Sequence, residues 1–161
     1  MDIFQTIVAK AAGISAESPL SGVLLGRGAI LELTEKSHDA ALRPSQPGGL
    51  THSERAALAC RMSKLNNEVF LVRHYESLIG DGDQSIADME FDGGDDARLK
   101  AILRHSDLVT VDPKEAVSGD ISALQSSGIA DADIVRLSEL SAFVSYQIRV
   151  IAGRRLMAEV S

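Results

Sequence analysis

Residues 50–75, LTHSERAALACRMSKLNNEVFLVRHY, hold the strongest local folding signal in the chain. Thr51-His52-Ser53-Glu54 has the Thr-x-x-Glu form of a capping box, in which hydroxyl and carboxylate satisfy the free N–H groups of a helix's first turn. A helix over His52–Leu65 follows. Asn66-Asn67 supplies polar residues suited to a break and a new cap. Val69, Phe70, Val72, Tyr75 and Leu78 then carry a second helix, Asn67–Leu78, to its stop at Gly80. The spacing therefore predicts a central antiparallel hairpin with Leu65 and Phe70 in the core.

Helical periodicity extends to both sides. Ile3, Ile7, Val8 and Ala11 fit one face of an opening helix, Asp2 to Ala12, stopped by Gly13. Ser18-Pro19 opens a second helical region, best formed over Ala29–Leu42, and RPSQPGG at residues 43–49 is a clear break. Asp95 or Asp96 can cap a helix running to Val109, with Leu99, Ile102, Leu103 and Leu108 inward, before Asp112-Pro113 ends it. A short helix, Asp120 to Gln125, leads through Gly128 into the longest element, from Asp131 or Asp133 to Glu159. There Ile134, Leu137, Leu140, Phe143, Val144, Ile148, Ile151 and Leu156 recur at helical intervals. At 1.5 Å per residue this helix would span roughly 40 Å, long enough to pack partly on another subunit. The expected fold is all-α in one domain, 1–161: an N-terminal helical extension (1–49), the core hairpin (50–80), an acidic loop (81–96) and C-terminal helices (97–161).

Composition narrows the function classes. The chain contains one cysteine, Cys60, which excludes an intramolecular dithiol cycle and suits a reducing, cytoplasmic compartment. There is no run of eighteen apolar residues and no basic start of a signal peptide, so neither a membrane span nor export is expected. A net charge of −7 with scattered Lys and Arg argues against nucleic acid. The acidic block from Asp81 to Asp96 reads as a solvated loop. It starts like a calcium loop, but Ile86 stands where glycine is needed. His38, His52, His74 and His105 have no paired spacing for zinc. No metal and no cofactor are expected. Gly26-Arg27-Gly28 lacks the Lys-Ser/Thr of a phosphate loop.

The central segment resembles the core motif of the carboxymuconolactone decarboxylase and AhpD-like alkylhydroperoxidase superfamily, in which a Leu-[Ser/Thr]-x-x-Glu-Arg start leads to a Cys-x-x-Cys pair and two histidines. LKAILRHSDLVTVDP at 99–113, LSELSAFVSYQIRVIAG at 137–153 and AGISAESPL at 12–20 are similar to further elements of peroxidase-related and cysteine-less members. The resemblance implies an AhpD-like helical fold and a homo-oligomer, a dimer or a multiple of it. Position by position, it puts Ala56 at the family's glutamate, Glu68 and Leu71 at its two cysteines and Tyr75 at its histidine. A carboxylate and an isobutyl group cannot form the sulfenate or the disulfide.

Two functional classes follow. One is a non-catalytic or accessory protein that keeps the helical core for self-assembly or for pairing with a cysteine-bearing AhpD-like relative. The other is an enzyme using different groups, whether lyase-like, small-molecule-binding or antioxidant, around Glu68, His74, Tyr75 and Arg149. A Glu68–Tyr75 hydrogen bond would be structural in the first and an acid–base pair in the second. Cys60, one helical turn after Ala56, is either a small buried hydrophobe or a lone reactive thiol. A pocket at these residues would favour the enzyme, a filled core the accessory protein.

Overall fold

The computed structural model describes residues 1–159, and among them every regular element is helical. Eight α-helices run in chain order: α1 Ile7–Ala11, α2 Ser21–Leu25, α3 Gly28–Leu42, α4 His52–Leu65, α5 Val69–Ile79, α6 Ala97–Val111, α7 Ser118–Ser126 and α8 Asp131–Glu159. Short 3-10 turns lie at Ile3–Gln5, Gln84–Ala87 and Pro113–Glu115. No helix among the described residues is long and apolar enough to cross a membrane.

The caps explain the boundaries. Thr51 and Glu54 form both halves of the capping box that opens α4: the Glu54 N–H donates to Thr51 Oγ1 at 3.1 Å and the Thr51 N–H to Glu54 Oε2 at 2.8 Å. Asp96 caps α6 by accepting from the Leu99 N–H. Asp120 accepts from the Val117 N–H, so α7 starts at Ser118, two residues before the expected start. Two other boundaries also differ from expectation. Thr6 adopts extended backbone and accepts from the Ala9 N–H, which splits the opening helix into a 3-10 turn and α1. Asn67 takes a left-handed φ of 56° and Glu68, not Asn67, caps α5.

Helix α4 is the axis of the fold, touching α3, α5, α6, α8 and the 3-10 turn Gln84–Ala87. Every residue from Arg55 to Ser63 is buried, and five of them, Ala56, Ala57, Ala59, Cys60 and Ser63, are small enough for neighbours to approach on all sides. The short connection to α5 makes the pair an antiparallel hairpin, as expected. The inward positions are a correction, however. Leu65 and Phe70 are only half-buried, whereas Leu58, Met62, Leu71, Tyr75 and Ile79 are closed off almost completely.

Two arginines of α4 organise the segments around it. Arg55, 2% exposed, donates to the carbonyls of Ala41, Pro47 and Leu50 at 2.9–3.1 Å and so fixes the 43–49 break. Within that break Gly48 has a φ of 67°, which strains any larger residue, and a Cβ there would stand 2.4 Å from Asp133 Oδ1 and displace that side chain. Arg61, 3% exposed, donates to both carboxylate oxygens of Asp107 at 2.7 Å and to the carbonyls of Asp88, Met89 and Phe91. The carboxylates of the acidic stretch are exposed, as expected, but Ile86 and Ala87 are buried and its turn is bound to the core helix.

Candidate functional site

The positions that the resemblance sets beside redox groups lie in packed interior. Ala56 is 1% exposed, and Leu71 and Tyr75 are fully buried. Glu68, 5% exposed, precedes the first turn of α5, with non-helical backbone (φ −90°, ψ 84°). Its carboxylate therefore leaves the arc shared by Leu71 and Tyr75, and the expected Glu68–Tyr75 hydrogen bond does not form. Instead, Glu68 Oε1 accepts from the Phe70 N–H at 3.3 Å, and its two oxygens accept from Arg155 Nη2 and Nη1 at 2.9 and 2.5 Å. Arg155 also donates from Nε and Nη2 to the Ala11 carbonyl at 3.0 and 2.7 Å. One carboxylate thus ties the start of α5 to the distal part of α8 and, through Arg155, to the end of α1.

Tyr75 turns to a different partner. Its hydroxyl donates to Gln147 Oε1, and its ring stacks on His38 with centroids 5.9 Å apart. Burial pushes the Tyr75 phenol far above its ordinary range, with Glu35 adding to the effect, so the group stays protonated. Such a phenol donates one hydrogen bond and is no base at neutral pH.

His74 and His38 meet at 3.0 Å between their Nε2 atoms, and His38 Nδ1 stands 3.2 Å from Asp39 Oδ1. A carboxylate oxygen accepts, so this geometry suits the His38 tautomer with its proton on Nδ1, whose Nε2 can accept from His74 Nε2–H. Burial, then His38 and Arg43, lower His74 to about 4. The sign of the resulting pH dependence follows. Above about 6.5 the ring is neutral in folded and unfolded chains and full stability is present. Between 6.5 and 4 the unfolded chain takes up a proton that the folded one refuses, so stability falls. Below 4 the loss levels off. We expect a decline on the order of 1–2 kcal/mol after solvent screening. His105, also lowered by burial, adds in the same direction. Urea titrations of wild type and His74→Asn between pH 7 and 4 should give a shallower decline for the variant.

Cys60 is fully buried, and its thiol donates to the Val72 carbonyl at 3.6 Å. Burial raises its pKa, an effect that Lys64 partly offsets, so it is a thiol rather than a thiolate. Arg149 is not among these groups. It lines a 390 Å³ cleft between α6 and α8 together with His105 and Ser145. A second cleft of 530 Å³ is bounded by Ala11, Val69, Phe70, Arg73, His74 and Arg155, and of the motif candidates only His74 reaches it.

No three His, Cys, Asp or Glu side chains among the described residues are grouped for a metal. In the acidic segment Asp83, Asp88 and Asp92 each accept from an N–H two residues ahead, closing local turns. His38, Gln147 and Arg155 complete the buried network, yet the motif did not point to them. One signal was available: His38 and Gln147 interrupt the buried stripes Leu31–Thr34–His38–Leu42 and Leu140–Val144–Gln147–Ile151 at helical spacing. Compared with protein-family models, with curated proteins and with solved structures, the chain matches none.

Proposed function

We propose that the chain is a non-catalytic or accessory oligomeric protein on an AhpD-like helical frame of the carboxymuconolactone decarboxylase superfamily, in which the redox positions have become fastenings between helices. The observation that carries this reading is the bidentate pairing of buried Glu68 with Arg155 beside a closed Leu71 and a Tyr75 engaged with Gln147. Leu71 is closed off, Glu68 is held by Arg155, and the one thiol is buried, with burial raising its pKa. The expected outcome is no turnover of cumene hydroperoxide with a dithiol or thioredoxin-like reductant, and Cys60→Ser without functional effect. Hydroperoxide reduction abolished by Cys60→Ser would replace the proposal by a one-cysteine mechanism.

Assembly with itself, or with a cysteine-bearing AhpD-like relative, belongs to the same reading. Helix α8 has 29 residues and is about 43 Å long, and Val135, Tyr146 and Leu156 are exposed along it. On α2 and α3, Val23, Leu25, Ile30 and Leu33 are also exposed. Large apolar side chains in such number mark surfaces that are covered by association. Sedimentation at micromolar concentration should give a dimer or a multiple of it; a clean monomer would contradict this part of the proposal.

A further inference from the structure

The cleft between α6 and α8 lies apart from the degenerate motif. Its α8 wall presents Ser138, Ser141, Ser145 and Arg149, and its α6 wall presents His105 and Val109. At 390 Å³ it has the size of a small-molecule site. Serines at helical spacing would make only a groove. Two further observations give this one chemical character. Arg149 is exposed and has neither an ion pair nor a hydrogen bond among the described residues, so its five donors are free for a ligand. His105 is 8% exposed, and its Nδ1 is buried without a hydrogen-bonding partner. That nitrogen is closed off from solvent, and it is the rest of the ring that lines the cleft. The same ring also lines a 280 Å³ cleft with Lys100, Arg104 and Asp120, where Lys100 is paired with Asp92 at 3.6 Å.

The hydroxyls define the ligand further. Ser138 Oγ donates to the Ile134 carbonyl and Ser141 Oγ to the Leu137 carbonyl, both at 2.9 Å. Their protons are committed, so toward the cleft these oxygens can only accept. Ser145 Oγ has no partner among the described residues and can donate. Burial lowers His105, which leaves a neutral imidazole able to donate and to accept near pH 7. A bare anion would satisfy Arg149 but face the lone pairs of Ser138 and Ser141. An uncharged polyol would leave the guanidinium without a counter-charge.

We propose that this cleft binds a small hydroxylated carboxylate, with Arg149 taking the carboxylate and Ser138, Ser141, Ser145 and His105 taking the hydroxyls. The site is independent of the motif around Glu68 and is reached from solvent. The apolar side of the cleft, Val109 with Ala142, fits the carbon backbone of such a molecule.

The test is an NMR titration of the isotope-labelled full chain with glycerate, malate and gluconate, with inorganic phosphate and sorbitol as the two half-ligands. At least one hydroxy acid should shift the His105 ring resonances and the amides of residues 138–149 saturably, and bind about tenfold or more tightly than phosphate or sorbitol. Arg149→Gln, a surface change, should weaken that hydroxy acid by about tenfold or more while its amide spectrum elsewhere stays unchanged. Ser138→Ala, which removes an acceptor and keeps the anion contact, should weaken the hydroxy acid and leave phosphate affinity the same or raise it, because one lone pair facing the anion is gone. The proposal is overturned if none of the three hydroxy acids produces saturable shifts at His105, if phosphate binds as tightly as they do, or if Arg149→Gln leaves their affinity intact.

Discussion

Replacing Arg61 by alanine should cost about 3–5 kcal/mol of folding stability and free the acidic segment from the core. The guanidinium is 3% exposed and uses all five of its N–H donors, on both oxygens of Asp107 and on the carbonyls of Asp88, Met89 and Phe91. Removing it strands three carbonyls and leaves a half-buried carboxylate without its counter-charge. Arg61→Lys should recover only part of the loss, because a single ammonium cannot serve a carboxylate and three carbonyls arranged for a planar fork. Equilibrium unfolding measures the loss. Hydrogen exchange locates it, with faster exchange expected at the amides of Ser85, Asp88 and Phe91, whose bonds close the turn. A loss below about 1 kcal/mol would mean that the segment holds its place without Arg61.

The second large effect is expected at Glu68. Glu68→Ala removes the cap of α5 and the anion that Arg155 grips, and it leaves Arg155 with the Ala11 carbonyl alone. Loss of a cap costs about 1 kcal/mol and loss of a charge-assisted bidentate pair about 1.5–3 kcal/mol. Arg155 is 40% exposed, so water can rescue part of its charge and the total should fall near 2–4 kcal/mol. Glu68→Gln keeps the size and one acceptor and should cost less. Calorimetry or urea unfolding distinguishes the three proteins. Equal stability of wild type and Glu68→Ala would leave the fastening without energetic content.

These two effects also mark where sequence reading stops. The capping box of α4 and the cap of α6, at Asp95 or Asp96, are each written within four or five consecutive residues, and they were legible. The inward face of the hairpin was not. Periodicity identifies a face only when a helix has a wet side, and α4 is buried without interruption from Arg55 to Ser63, so Leu65 was no better a core candidate than Met62. On α5 the expected helix, Asn67–Leu78, includes Glu68, but that residue caps the helix from outside it. Leu71 and Tyr75 face inward while the carboxylate turns toward α8.

The four positions that the resemblance singles out, Ala56, Glu68, Leu71 and Tyr75, are all buried. Their partners are far away in sequence: Arg155 lies 87 positions from Glu68, and Gln147 lies 72 from Tyr75. Nothing local encodes such pairs. A polar residue on an otherwise apolar stripe is the one trace they leave, at His38 and Gln147. The acidic segment illustrates the same limit from the other side. Its charge density reads as solvent exposure, yet the donor that binds its turn sits on α4, and Arg61 looks in sequence like any surface basic residue of a helix.

The account as a whole rests on Glu68 being a structural joint rather than a catalytic group. A double-mutant cycle of Glu68→Gln and Arg155→Met, read by equilibrium unfolding, tests this most directly. The expected result is a coupling of roughly 1–3 kcal/mol, with both single changes destabilising and the double change little worse than either. Additive losses with no coupling, or unchanged stability accompanied by loss of a measurable activity in Glu68→Gln, would contradict it.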